Sequence, residues 1–570
     1  MAIKRYQATK DNTITNALKS DLTLRGTGSN MGAADVLEVF SVYAQASSSV
    51  RGLSQELSRV LLEFPIDTIL TDRSASVLPA SGSVNFRLKL YNARHSETLP
   101  RQATFNISPI SASWQEGSGL DMESYNDTTR DSIPGSNWLN ASSSPIVRWT
   151  NHGGDFVTAS HHMPLSDGTT YSSYVKDVTL EQGYEDIDVD ITDLVESWLR
   201  YEHEVTVNSI DTSITTRAKQ NVANRAIKNY GVAVRLTSSQ EARFISTDLF
   251  AYAGPEIYNA DGATKSFYTK KFFARSSEFF YKKPVIEAQW DDSLSDDTDN
   301  FFLSSSLADE ENLNTIYFYN YVRGRLRNIP AIGTGKIGLT IHSGSVDHKV
   351  YGGSIPIGSA LHHNQHPTGS VKSEGHQLLT GSYVSTGIYS ASFSYASSSV
   401  NRIFPVWRGL GNYGAQKFVS PDNVFFTGSV IEVKTHESYY AQPTDEYVVK
   451  ITNLKPSYRR DEKPRLRLYS REKGWNPTVY TKASTDIENN LVERAYYKVF
   501  REVDGLTIIN YGTASAQNNY SKLSYDASGS YFNLDMSLMQ GGYSYAIKIL
   551  IDEDGYKKEQ PEIFRFRVES

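Results

Sequence analysis

The sequence predicts an all-β chain of stacked sandwich domains with little helix, and three observations carry that reading. Apolar and polar residues alternate through many short runs. The side chains that favour sheets are abundant, with 36 Tyr, 24 Phe and 7 Trp among 570 residues. Clusters of Gly, Ser, Asn and Asp separate the runs, as sandwich turns require.

Val84 to Tyr91 shows the alternation most plainly, with Phe86, Leu88 and Leu90 on one face and Arg87 and Lys89 on the other. Asp186–Ile191, Tyr230–Leu236, Lys336–Ile341, Val430–Lys434, Arg465–Tyr469 and Ile563–Val568 read the same way. Asp552-Glu553-Asp554-Gly555 reads as a hairpin turn. The clearest helix begins near Thr192, a predicted N-cap. Asp193 suits the positive end of the dipole, and Leu194, Val195, Trp198 and Leu199 form one stripe. A weaker helix is predicted over Ser306–Leu313. Thr-Gly-Ser recurs at 27–29, 368–370, 380–382 and 427–429, but no heptad or fixed long repeat is present.

At roughly 150 residues per domain, the length suits three or four domains. Between Trp290 and Asn312 eight acidic residues occur with no basic one, which reads as a linker or domain edge. A second boundary lies near Lys434–Thr444, before a fresh strand over Glu446–Leu454. The expected domains are therefore 1–290, 291–435 and 436–570. In the second, 342–400 is rich in Gly, Ser and His. It reads as an extended hairpin or arm suited to assembly contacts, returning to strand over Tyr383–Tyr395.

Hydrophobic residues make up 39% and charged residues 21%, with a mean hydropathy of −0.43, the profile of an ordinary folded chain. Lys and Arg number 57 against 64 Asp and Glu, giving a net charge of −7 and speaking against nucleic acid as a partner. The chain has no Cys, which excludes disulfides, thiol catalysis and thiolate zinc sites. Met1–Tyr6 leads into polar sequence, so no secretory signal is expected, and no run approaches the roughly 18 apolar residues of a membrane helix.

Gly409-Leu410-Gly411-Asn412-Tyr413-Gly414 fits a dinucleotide-binding pattern. Pro405 interrupts the run before it and Pro421 closes a following segment too short for the required helix, so it reads as a turn. Asp186, Asp188 and Asp190 share one strand face, which suits a hard cation or simply a solvated sheet face. His362, His363 and His366, with His161 and His162, invite a metal reading but lack a carboxylate at defined spacing, and exposed loop histidines are the default. Lys265–Lys283 interleaves Lys and Arg with Phe and Tyr, which reads as closing strands with core-facing rings and solvated lysines rather than a single-strand binding surface. No catalytic residue, cofactor or metal is assigned. An enzyme for polysaccharide cleavage would need paired acids that meet only in three dimensions.

Two resemblances add to this. Residues 1–290 resemble the DNRLRE-type domains through the order of their landmarks: Asp11-Asn12-Thr13-Ile14, Gly26-Thr27-Gly28-Ser29-Asn30-Met31-Gly32, Ser58 to Phe64, Phe86 to Tyr91, Trp114-Gln115-Glu116-Gly117, Asp188 to Leu199, Asn229-Tyr230-Gly231-Val232, and Phe273 to Glu287. The namesake hexapeptide is missing, and 120–185 reads as an insertion. That resemblance implies a carbohydrate-binding-like or structural jelly-roll sandwich with one short helix, here followed by two smaller immunoglobulin-like or β-sandwich domains. The whole chain also resembles virion structural proteins of tailed bacteriophages, in its Thr-Gly-Ser turns, absent Cys and stacked β-domains. This implies a non-enzymatic part of a neck, tail or baseplate, made in the host cytoplasm without a signal peptide. Its partners would be other virion proteins and symmetric copies of itself, with neither nucleic acid nor membrane. The alternative is a carbohydrate-binding adhesin, receptor-binding or decoration protein, in which Trp138, Trp149, Trp407 and Trp475 would stack on a glycan.

Overall fold

The computed structural model describes residues 2–48, 52–120, 135–157, 174–210, 227–245, 254–303, 313–343, 372–373, 376–377, 379–393, 395, 401–413, 416–435, 447–474, 478–479, 491–512, 519–553 and 555–569. The fold is nearly all β. The chain forms two compact units, one of Ala2–Asp291 with Ala514–Tyr520 and one of Asp292–Thr513 with Ser521–Ser570.

The first unit is a jelly-roll-like sandwich. Its four-stranded sheet runs Ile3–Gln7, Val285–Gln289, Asn85–Leu90, Ile187–Asp190, with antiparallel neighbours throughout. The facing sheet runs Phe267–Phe273, Val36–Ser48, Gly52–Glu63, Val232–Leu236, Ala103–Pro109, Lys176–Leu180, with Lys10–Thr15 also paired to Gly52–Glu63. The alternation in Asn85–Leu90 does what it predicts: Phe86, Leu88 and Leu90 are fully buried, in one core with Val60, Leu62, Phe105, Ile107, Val234 and Phe272. The strand Gly52–Glu63 is buried on both faces. Val60 and Leu62 meet that core, whereas Leu57 and Leu61 pack against Ile110, Trp114, Trp138 and Trp149, which cover the sheet's other side.

The predicted helix occupies Thr192–Ile210, and Leu194, Val195, Trp198 and Leu199 are all buried. Its capping differs from expectation. The carboxylate of Asp190 accepts the Thr192 N–H (2.9 Å), while the Thr192 hydroxyl accepts the Phe86 N–H (2.9 Å) and ties the helix to the sheet. A second helix, Ile66–Ser74, was not predicted. It buries only Ile66 and Ile69 and joins the longer helix through Arg73 and Glu196 (2.6 Å).

In the second unit, a seven-stranded sheet runs Asn314–Tyr319, Ile388–Phe393, Leu379–Ser385, Ile337–Ser343, Arg402–Tyr413, Gln416–Thr427, with Ile431–Glu432 also on Arg402–Tyr413. This sheet curls so that rings from its two edge strands touch. Phe318 on one edge strand stacks on Phe426 of the other at 5.2 Å, over a core holding Trp407, Tyr389 and Phe393. The strand predicted over Tyr383–Tyr395 falls in a hairpin of Leu379–Ser385 and Ile388–Phe393, and Tyr389 and Tyr395 are buried. Residues 344–371 of the Gly/Ser/His-rich segment, and 306–312 of the weaker predicted helix, lie outside the described residues.

The remaining strands form a sandwich of two sheets. One runs Tyr447–Ile451, Arg465–Glu472, Gly529–Asn533, Ser524–Asp526. The other runs Ser457–Arg459, Phe564–Glu569, Ser544–Glu553, Ala495–Arg501, Thr507–Ile509, with Tyr556–Glu559 also on Ser544–Glu553. Tyr497 of one sheet stacks on Phe532 of the other at 4.4 Å. The predicted hairpin turn joins Ser544–Glu553 to Tyr556–Glu559, and Gly555 takes the left-handed backbone (φ +87°) that the turn needs.

Candidate functional site

Topology gathers a polar cleft at one end of the four-stranded sheet. Asn85–Leu90 runs antiparallel to both neighbours, so the residues that follow it lie beside those that precede Ile187–Asp190 and Val285–Gln289. Asn92, Arg94, His95 and Leu99 come from the first segment, Tyr184 and Asp186 from the second, and Lys282 from the third. Together they line a cleft of about 420 Å³. Loops at the end of a rigid sheet are where binding groups are usually presented.

A buried ammonium holds this wall together. Lys270 points inward from Phe267–Phe273, is fully buried, and donates to Asn92 Oδ1 (2.7 Å), Gly183 O (2.9 Å) and Glu185 O (2.8 Å). Burial pulls its pKa down to about 8, against the opposing pull of Asp186 and Glu185. Asp186 in turn accepts the Asn92 N–H (2.7 Å), so the two segments are cross-linked twice. Gly183 has φ +88°, and a Cβ there would lie 2.7 Å from the Pro100 carbonyl. The turn before Tyr184 therefore needs glycine.

The cleft's other groups are less constrained. His95 accepts the Glu97 N–H at Nδ1 (3.2 Å), and burial lowers its pKa despite Glu97, which favours the neutral ring. Lys282 lies over the Tyr91 ring at 5.2 Å. Arg94 is exposed, and Tyr184 is 60% exposed. The adjacent Lys271 is occupied by Glu38 (2.7 Å) and Glu97 (3.4 Å).

A second polar cluster lies within the other unit, in the acidic stretch that the sequence suggests is a linker or domain edge. Asp296 is 5% exposed and accepts from the Thr298 N–H (3.2 Å) and hydroxyl (2.6 Å). Asp297 accepts from the Thr315 N–H (2.6 Å) and the Tyr525 hydroxyl (2.8 Å). Burial pushes both carboxyls up to about 6 and also raises the neighbouring Tyr317, Tyr319 and Tyr525. This stretch is a structural seam: Ser295 bridges to Tyr525, and the Asp297 N–H reaches the Thr315 carbonyl.

The sequence-derived candidates fall as follows. Asp186 lines the cleft, Asp188 pairs with Arg87 (2.6 Å) and Lys89 (3.6 Å), and Asp190 caps the helix. The three thus share a strand face but serve three separate partners, and no metal-holding group of acids or imidazoles occurs among the described residues. His161, His162, His362, His363 and His366 lie outside the described residues. Gly409–Tyr413 is not a turn but continues the strand Arg402–Tyr413, paired to Gln416–Val419. Pro405 does not break that strand: its carbonyl accepts the Gly428 N–H (2.8 Å). Pro421 lies in Gln416–Thr427, an edge strand where a missing N–H is tolerated.

The lysines of Lys265–Lys283 are not all solvated, because Lys270 finds three acceptors inside the fold. The tryptophans proposed to stack on a glycan are core residues. Trp138, Trp149 and Trp407 are 0%, 4% and 1% exposed, and the Trp138 and Trp149 indoles donate to the carbonyls of Pro255 (2.6 Å) and Asn137 (2.8 Å). Trp475 lies outside the described residues. Arg94, His95 and Tyr184 carry no local motif, and only the basic–aromatic run and the Asp186 series mark any part of the cleft in sequence. No protein-family model and no curated protein matches the chain.

Proposed function

We propose that the protein is a non-enzymatic structural component of a bacteriophage virion, in the neck, tail or baseplate, that works through protein–protein interfaces. The observation that carries this reading is the edge strand Gln416–Thr427. It is twelve residues long, pairs along one side with Arg402–Tyr413, and exposes Val424 (42%) and Phe426 (47%). An edge strand with exposed apolar side chains invites pairing with another chain and is a liability in a protein that works alone. Covered by a neighbour, the same edge becomes an interface, and repetition around a symmetry axis buries every copy. Exposed Tyr321 (58%) and Val322 (44%) on the small hairpin Tyr321–Val322/Arg325–Leu326 add apolar surface to the same unit. The test is the protein composition of purified particles. Stoichiometric presence of the polypeptide, with assembly lost in Val424→Lys, is expected, and particles complete without the polypeptide overturn the reading.

A further inference from the structure

We propose that the hairpin Tyr321–Val322/Arg325–Leu326 docks into a groove of a nucleic-acid duplex, with Arg323, Arg325 and Arg327 on the flanking phosphates.

The charge of this stretch departs from that of the chain. A net charge of −7 speaks against binding spread over the whole surface, but it is an average. No Asp or Glu occurs between Glu311 and Asp347, while Arg323, Arg325, Arg327 and Lys336 all do. The three arginines are exposed, and none forms an ion pair among the described residues. Elsewhere in the same unit an exposed arginine finds a carboxylate, as Arg402 does at Glu432 (2.9 Å). The neighbouring turn Val384–Gly387 contributes no acid either. A guanidinium fork matches phosphate oxygens in two parallel hydrogen bonds.

The shape narrows the class of polyanion. Tyr321 and Leu326 pair across one face of the hairpin and Val322 and Arg325 across the other. Tyr321, Val322 and Arg325 are exposed and Leu326 is half-buried, so the hairpin projects with both faces wet. Its base is fixed. The Arg327 N–H donates to the Asn320 carbonyl (3.0 Å), Asn320 Nδ2 donates to the Arg327 carbonyl (2.6 Å), and the Gly387 N–H donates to Asn328 Oδ1 (2.7 Å). A projecting two-stranded ribbon fits a duplex major groove, which is about 12 Å wide. A single strand instead requires a groove in the protein. A bilayer requires an apolar turn, because the turn enters deepest, and here the turn is Arg323-Gly324.

The turn itself supplies the last observation. Arg323 has φ +52° and Gly324 φ +72°, the mirror-image turn that Asn-Gly or Asp-Gly adopts without strain. Arginine at the first position accepts a left-handed backbone that bulky side chains rarely adopt. Strain held at a projecting, charged tip points to function.

The experiment is fluorescence anisotropy of the full chain with a short labelled DNA duplex over a salt series. The unlabelled duplex, its single strand, phosphatidylserine vesicles and polyglutamate serve as competitors at equal anion concentration. Saturable binding is expected, displaced best by the unlabelled duplex. Three phosphate contacts predict a slope of log K against log salt of about −2.7, so that raising salt from about 50 to about 200 mM weakens binding about 40-fold. Arg323→Asn should reduce the slope to about −1.8. The same variant should unfold at no lower temperature than the parent, because Asn suits the left-handed position. A merely structural role for Arg323 would not separate the two readouts. The combined variant Arg323→Asn, Arg325→Gln, Arg327→Gln should stay folded and lose saturable binding. The inference is overturned by no saturable duplex binding at about 50 mM salt with up to about 100 μM protein. An unchanged slope in Arg323→Asn, or binding retained in the folded combined variant, overturns it too. So does any other competitor that displaces the labelled duplex as well as the unlabelled duplex does. Particle composition and duplex binding are separate measurements, so the virion reading and this one fail separately.

Discussion

Asp296 and Asp297 give the second unit a pH dependence opposite to that of a salt-bridged protein. Their carboxyls are buried beside Tyr317, Tyr319, Tyr525 and Asp526, and burial pushes each from 3.8 up to about 6. Between these values the native state keeps a proton that the unfolded chain has released. Their contribution to stability is therefore greatest below about pH 4, falls as pH rises through 6, and is level above it. A displacement of about 2 pH units corresponds to about 3 kcal/mol per carboxyl, of which about 2 kcal/mol falls between pH 4.5 and 7.5. Asp296→Asn isolates the effect, because an amide oxygen still accepts both Thr298 donors while the charge is gone. The readout is hydrogen exchange of peptides covering Asn314–Tyr319 and Ser524–Asp526, corrected for intrinsic rate. In the parent chain each carboxyl should lower protection by about 30-fold over that pH range. The variant should show half the logarithmic dependence and exceed the parent at pH 7.5. An unchanged pH slope in Asp296→Asn, or protection that rises with pH in the parent, would refute the reasoning.

The first unit supplies sharper structural tests. Arg59 and Glu241, at 5% and 6% side-chain exposure and 2.9 Å apart, form a buried pair, with Arg59 also donating to the Gly153 carbonyl. Glu241→Ala should cost about 3–5 kcal/mol by stranding the guanidinium, visible as a loss of several degrees in thermal unfolding. Gly231 has φ +89°, and a Cβ there would sit 1.9 Å from the Leu62 carbonyl, so Gly231→Ala should destabilise by more than about 3 kcal/mol and reduce soluble yield. Lys270→Met should leave the Gly183 and Glu185 carbonyls without their donor, costing about 1–3 kcal/mol for each and raising exchange across 182–187.

Strands were legible where one face is apolar and the other is charged. Asn85–Leu90 alternates because its even-numbered side chains meet the core, while Arg87 and Lys89 on the other face pair with Asp188 and the buried Glu287. The signal weakens where both faces are covered, as in Gly52–Glu63. There Arg59 sits inside because Glu241 and the Gly153 carbonyl, far along the chain, receive it. The long helix announced itself through a four-residue apolar stripe. Ile66–Ser74 did not, because two buried residues three apart make no stripe and its stability comes from contacts such as Arg73–Glu196. The cap was misassigned between Thr192 and Asp190 because either side chain can accept a helix N–H, and the competing demand of the Phe86 N–H is invisible until the sheet is placed.

The polar clusters were the least legible, for a related reason. Whether a charged side chain is solvated or buried is settled by partners that local sequence does not contain. Lys270 stands in a run that reads as strands with core-facing rings and solvated lysines, yet its three acceptors lie 178, 87 and 85 residues away. Asp296 and Asp297 stand in an acidic stretch that reads as a linker or domain edge, and Thr315 and Tyr525, which that stretch does not contain, draw Asp297 into a seam. In both places composition assigns the charge to water by default. The fold departs from that default only where hydrogen bonds offset desolvation. At Lys270 that departure stiffens the wall of a cleft, and at Asp296 and Asp297 it makes a domain seam sensitive to pH. In both places the buried charge joins segments that no run of adjacent residues could connect.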